Sequence, residues 1–241
     1  MCTVTLYPVG KSNFVLTSNR DEAPNRVSLP PDVYDVGGVK MMFPKDKLAG
    51  GSWIGISEKK RVLCVLNGGF TRHSRKDKYR LSRGVVMKDL LTCDDIEKAV
   101  TNYELYDIEP FTLVIADWIE DLRFFELVWD GDNKHFQELP LAPKIWSSST
   151  LYNDKMKTER QQWFADFLDA NMLTEKHVLD FHQNTQKDNT EYGIVMDRLF
   201  VKTTSITQVV KSEQTVSMNF NNLQEATKSL HHFELFQEIN E

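Results

Sequence analysis

The chain has 241 residues, 41% hydrophobic and 27% charged, which suits a folded chain with a sizeable core and argues against extensive disorder. Thirty-five acids against 29 bases leave a net charge of −6, so a general nucleic-acid binder is not expected. The longest apolar runs, 62–66 and 111–116, are strand-sized and far short of the ~20 residues of a membrane span.

Thr3-Val4-Thr5-Leu6-Tyr7 and Asn13-Phe14-Val15-Leu16-Thr17 both alternate at period two, and Pro8 to Ser12 between them carries turn chemistry, so a hairpin is predicted. A second hairpin is predicted from 52–56 and 62–66 across the charged turn Glu58-Lys59-Lys60. Short helices are expected over 82–91 and 94–100, capped by Ser82 and Asp94. Strands follow at 111–117, 122–129 and 145–149. The clearest helix is 154–170, where Met156, Trp163, Phe164, Phe167 and Leu168 form one stripe. Thr174 opens a further short helix, 183–192 reads as a polar loop, and strands at 201–210 and 214–220 are joined at Lys211-Ser212-Glu213. Fourteen Phe, 7 Tyr and 5 Trp favour a sheet-rich interior. The grouping of strands and helices predicts an α+β fold with largely antiparallel sheets and segregated helices. No linker or internal repeat interrupts the chain, so one domain is expected over 1–241.

Cys2, Cys64 and Cys93 are too few and too scattered for a disulfide framework or a zinc site. The N-terminus lacks the regions of a signal peptide, so the expected compartment is the cytoplasm. The six histidines form no metal pattern and no nucleotide-binding glycine motif occurs, so neither metal nor cofactor is expected. No motif specifies an oligomeric state.

Cys2 is the unusual feature. Initiator Met is commonly trimmed before a small residue, which exposes a free α-amine on the residue that bears the thiol. With a reference pKa of about 7.7–8.0, that amine can act as base for its own nucleophile without a histidine. With the first turn centred on Gly10 and Lys11, Cys2 faces Asn19, Val4 faces Thr17 and Leu6 faces Val15. Asp21 is then the diagonal neighbour of Cys2, within roughly 7–8 Å, and Arg20 points to the other face. The plain alternative is an ordinary small residue in an N-terminal strand. Asn67, at a strand end before Gly68-Gly69, offers an amide and flexible N–H groups for an oxyanion hole, or else a simple turn. From Arg72 to Arg83 six bases (72, 75, 76, 78, 80 and 83) stand against Asp77. This run is either a solvated loop or an anion-holding rim, with Arg72, Arg75 and Arg80 as the bidentate candidates. The rim reading expects a small ligand with an acidic group and an apolar body. Ser147-Ser148-Ser149 ends a strand and offers hydroxyl donors.

Met1-Cys2 followed by Asn19-Arg20-Asp21-Glu22 resembles the signature of the NRDE family, which includes transport-and-Golgi-organisation protein 2. Gly50-Gly51-Ser52-Trp53-Ile54-Gly55-Ile56, Val65-Leu66-Asn67, the segments 111–117 and 146–152, and Lys202-Thr203-Thr204-Ser205-Ile206-Thr207 fit the same family in order. The family is similar to N-terminal-nucleophile hydrolases of the penicillin acylase and bile-salt hydrolase branch, which implies a four-layer αββα sandwich. The resemblance also implies roles: the nucleophile falls on Cys2, the contact to its amine on Asp21 and the oxyanion donor on Asn67, with Asn19 and Arg20 beside them for substrate. Three departures stand out. Ser18 occupies the position of an acylase Arg, Ser148 or Ser149 replaces a second Asn, and Lys202 replaces a late Arg. Penicillin or bile-salt hydrolysis is therefore not carried over. The expected function is cleavage of a non-peptide C–N bond in a small, anionic molecule. The alternative is a non-enzymatic protein that binds or carries a hydrophobic anion such as haem or an acyl-thioester.

Overall fold

The computed structural model describes residues 3–170 and 174–235. In chain order the described residues form β1 (Thr3–Val9), β2 (Asn13–Glu22), β3 (Ser28–Val36), β4 (Val39–Asp46), β5 (Ile54–Ser57) and β6 (Arg61–Asn67), then α1 (Arg83–Thr92) and α2 (Ile96–Asn102). There follow β7 (Phe111–Asp117), β8 (Arg123–Trp129), β9 (Lys134–Leu139) and β10 (Lys144–Ser147), then α3 (Asp154–Ala170) and α4 (Glu175–Asn184), and last β11 (Lys202–Ser212), β12 (Thr215–Asn222) and β13 (Thr227–Phe233). One sheet has the order β10-β1-β2-β11-β12-β13 and the other β3-β4-β5-β6-β7-β8-β9, with every pairing antiparallel.

The two sheets face each other through apolar side chains. Phe14 of β2 reaches across to Trp118 and Phe124, with ring centroids 5.3 and 6.2 Å apart. Helix α1 covers β5 and β6, and α3 and α4 cover β10, β2 and β11. The second helical layer has its own small core of Ile145, Phe164, Phe181 and Ile194. The result is the αββα sandwich. Arg61, fully buried, binds Asp117 through Nε at 2.6 Å and donates from Nη1 to the carbonyl of Cys93 at 2.8 Å, which pins the end of α1 to the sheet.

Several sequence expectations are met closely. Ser82 caps α1, accepting from the Val85 N–H, and β5 and β6 form the second hairpin. Two details change. Asp95, not Asp94, caps α2, because its carboxylate accepts from Lys98 N–H. The first hairpin slips by one residue: Val4 pairs with Ser18 and Leu6 with Leu16, and Thr3, not Cys2, lies opposite Asn19. The cause is a three-residue turn, Gly10-Lys11-Ser12, entered through Gly10 at φ +67°. Cys2 itself lies outside the described residues.

Candidate active site

One end of the sandwich gathers the chain segments that the sequence singles out. The start of β1, the end of β2, the end of β10 and the start of β11 are neighbours in one sheet, since Thr3 pairs with both Ser147 and Asn19, and Thr203 pairs with Asp21. The end of β6 approaches from the facing sheet. Ser148 Oγ donates to the Asn67 carbonyl at 2.6 Å, which joins the two sheets here. Gly68, at φ +87°, permits this approach: a Cβ there would lie 3.1 Å from Thr150 Cγ2 and 3.2 Å from Ser149 Cβ.

Asp21 is 3% exposed, and its carboxylate accepts from two hydroxyls, Tyr152 Oη at 2.9 Å and Thr203 Oγ1 at 2.6 Å. Neither hydroxyl was expected from the sequence reading, although both lie in segments that fit the family pattern. Tyr152 is itself held beneath the Arg160 guanidinium, whose carbon sits 4.1 Å from the ring centroid. Arg160 donates to Ser147 Oγ, to the carbonyls of Tyr192 and Gly193, and to Thr3 Oγ1, the residue that follows Cys2.

The remaining predicted residues divide. Asn19 points into the helical layer, where Nδ2 donates to the carbonyls of Ile194 and His182 and Oδ1 accepts from His182 Nδ1 at 2.6 Å. Arg20 points the opposite way, as expected. It is enclosed by Asp46, Ser28, Thr204 and the Arg26 carbonyl, and it lies over the Trp53 ring at 4.6 Å. The geometry therefore separates Arg20 from Asp21. Ser149 Oγ donates to the carbonyls of Gly69 and Phe70 and accepts from Lys157. Lys202 opens β11 opposite Glu22.

Asn67 and the basic run line one cavity of about 980 Å³, together with Glu22, Arg26 and Glu109. Arg72 and Arg75 are on its wall, whereas Arg80 turns away to the carbonyls of Glu104 and Tyr106. Arg83, the most enclosed of these cationic side chains, meets Glu109 at 3.3 Å. Burial pulls its pKa below the usual guanidinium value, against the pull of Glu109. This lining is largely polar. A second cavity of about 260 Å³ is more mixed: Leu66 and Val128 of one sheet and Ile145 and Trp146 of the other line it together with Glu126, Lys144 and Lys157. Leu66 and Asn67 are consecutive in β6, and each contributes to a different one of the two cavities. Among the described residues none hydrogen-bonds the Asn67 side-chain amide, while the Gly68 N–H is taken by the Pro110 carbonyl at 3.0 Å. Of the donors expected on this turn, the Gly68 N–H is thus taken within the protein. Among the described residues no three His, Cys, Asp or Glu side chains gather as a metal site, and no helix is long and apolar enough to cross a membrane.

His182, completely buried, was not anticipated. Its Nδ1 donates to Asn19 and its Nε2 accepts from Thr5 Oγ1 at 2.8 Å, so the ring is neutral with one proton. Burial, reinforced by the Arg160 charge, pushes its pKa down to about 3. The folded pKa lies below the unfolded value near 6.5. Its contribution to stability is therefore complete above about pH 6.5 and is lost as pH falls toward about 3. Thermal melts across this window should show a steeper decline for the wild type than for His182→Gln; parallel curves would remove His182 as the source.

The fold defines an N-terminal-nucleophile hydrolase architecture. It is shared with the Caenorhabditis elegans N-acylethanolamine-hydrolysing acid amidase orthologue, at 11% identity and TM-score 0.58, covering 86% of this chain and 92% of that one. It is shared too with penicillin V acylase from Agrobacterium tumefaciens, at 12% identity and TM-score 0.51, covering 97% and 86%. Within that architecture the chain belongs to the Transport and Golgi organisation 2 family, whose model matches residues 1–222. No curated protein matches it in a sequence search.

Proposed function

We propose that the chain is an amidohydrolase that cleaves a non-peptide C–N bond of a small anionic molecule, with Cys2 as nucleophile once Met1 is removed. The observation that supports this reading best is the buried Asp21 carboxylate, held by Tyr152 and Thr203 two residues beyond Asn19, the partner of Thr3 at the start of β1. In the proposed step the Cys2 thiol gives its proton to its own α-amine, and the sulfur attacks the amide carbon. The resulting oxyanion accepts a hydrogen bond from the Asn67 amide. The ammonium, steadied by Asp21, then protonates the leaving nitrogen as the C–N bond breaks. Water attacks the thioester, giving up its proton to the amine, and releases the carboxylic acid and free thiol. The bases of the larger cavity, which Asn67 also lines, suit the acidic group.

Limiting iodoacetamide with peptide mapping, alongside intact mass, tests the nucleophile. Burial pushes the Cys64 thiol up to about 12 and also raises Cys93, so both should resist alkylation near neutral pH. Loss of Met1 and selective labelling of Cys2, with turnover of an anionic acyl amide, is the expected outcome. Preferential labelling of Cys64 or Cys93 would count against it. A processed chain that binds such amides without turning them over would favour the carrier reading.

A further inference from the structure

The exposed apolar side chains are not spread evenly. Six large hydrophobic residues among the described ones are more than half exposed: Leu48 (74%), Phe70 (53%), Tyr106 (75%), Leu199 (81%), Phe200 (84%) and Leu230 (58%). Leu230 sits within β13. The other five lie at the end of the sandwich that carries the larger cavity. Leu48 precedes Ala49 on the cavity wall, and Phe70, which lines the smaller cavity and meets His135 edge-on at 4.8 Å, follows the Asn67-Gly68-Gly69 turn. Tyr106 is on the segment leading into β7, whose first residue pairs with Asn67. Leu199 and Phe200 precede β11, whose first residue pairs with Glu22 on the cavity wall. Single exposed apolar residues are ordinary, but five on four loops at one end are a concentration.

The loop that bears Leu199 and Phe200 is built, not slack. Leu199 takes φ +68°, a costly left-handed conformation for a leucine, and its N–H is held by Asp197 Oδ1 at 3.0 Å. Arg198 Nη1 ties the loop to the Leu151 carbonyl at 3.1 Å, next to Thr150 on the cavity wall. A tip held this firmly yet so exposed presents its two side chains outward. The same end carries the basic run, with Arg72, Arg75, Lys76 and Lys78 exposed, although the whole chain is acidic. Apolar tips among cations are the pattern of an interfacial anchor on an anionic bilayer, where apolar side chains enter the headgroup region and bases meet lipid phosphates and carboxylates.

We propose that this end is a membrane-docking face, seated on an anionic lipid surface through Leu199 and Phe200 with Leu48, Phe70 and Tyr106 around them, so that the larger cavity opens toward the bilayer. The docking is independent of whether the site hydrolyses an amide. Co-sedimentation of the full chain with phosphatidylcholine vesicles, with or without about 30 mol% phosphatidylserine, tests it. Binding is expected only with the anionic vesicles and should weaken as salt is raised. The double variant Leu199→Asn, Phe200→Ser should lose about tenfold in vesicle partitioning; Asn tolerates the left-handed backbone, so the loop geometry is kept. Lys76 is paired with Asp107 at 2.9 Å, so Arg72→Gln with Lys78→Gln is the charge test, and it should lose a similar factor. No binding by the wild type, equal binding to neutral vesicles, or undiminished binding by both double variants would overturn the proposal. So would wild-type self-association without vesicles that the tip variant abolishes, since the face would then belong to a second copy of the chain.

Discussion

Asp21→Asn is expected to lower acyl-amide turnover by about 10²–10⁴-fold, the usual scale of an acid–base contribution, while leaving the fold in place. The substitution keeps the shape of the side chain. Tyr152 can still donate to the remaining oxygen, and the new amide can donate to Thr203 Oγ1 once that hydroxyl rotates. What disappears is the negative charge facing the proposed amine. A carboxylate nearby raises an amine's pKa, so its removal lowers it, and the acid limb of the pH profile should move to lower pH as the rate falls. Rates measured over about pH 6–9 for wild type and variant decide the matter, since the reference amine titrates within that span. A variant with unchanged rates throughout would remove Asp21 from the mechanism. A uniform loss with no movement of the limb would make its role purely structural.

The grouping of strands and helices was legible because the signals that mark it are local, whereas the αββα layer order was implied only by the family resemblance. Period-two alternation marked the strands on either side of Glu58–Lys60, and the stripe through Phe164 marked α3. Strands β3 and β4 escaped the reading for a physical reason. Pro30 and Pro31 interrupt any strand pattern, yet they sit in an edge strand exactly where the register shifts between Leu29 and Asp32, a position that needs no ladder N–H. The Gly37-Gly38 turn joining these strands, with both residues at positive φ, was the available signal. In the site, chemistry and a strand-end position singled out Asp21 and Asn67, but the register that made Asp21 the diagonal neighbour of Cys2 does not survive the three-residue turn. Tyr152, Thr203, Arg160 and His182 were not legible, because each acts through a partner far away in the chain: Arg160 binds Thr3, and His182 binds Asn19 and Thr5. The basic run was visible as charge, but only the fold divides it, turning Arg80 outward and drawing Arg83 onto Glu109.

Arg160→Met is expected to cost roughly 2–6 kcal/mol of stability, from two buried carbonyls that each lose about 1–3 kcal/mol when left without a donor. Arg160 is 0% exposed, and among the described residues none of its bonds goes to a carboxylate; its partners are Ser147 Oγ, Thr3 Oγ1 and the carbonyls of Tyr192 and Gly193. Keeping a guanidinium dry without a counter-ion is costly, so some desolvation energy returns in the variant, and a result near the lower limit is consistent. Arg160→Lys separates charge from geometry. An ammonium keeps the positive charge but cannot span four acceptors on three chain segments with a planar fork, so it should recover only part of the loss. Urea unfolding midpoints measure both. The same pair tests the link to catalysis: because Arg160 holds Thr3 and lies over Tyr152, which in turn binds Asp21, the lysine variant should lose kcat more than it raises KM. Full stability in Arg160→Met, or a lysine variant indistinguishable from wild type in both stability and kcat, would mean that the guanidinium geometry is dispensable to the end of the sandwich where β1 begins.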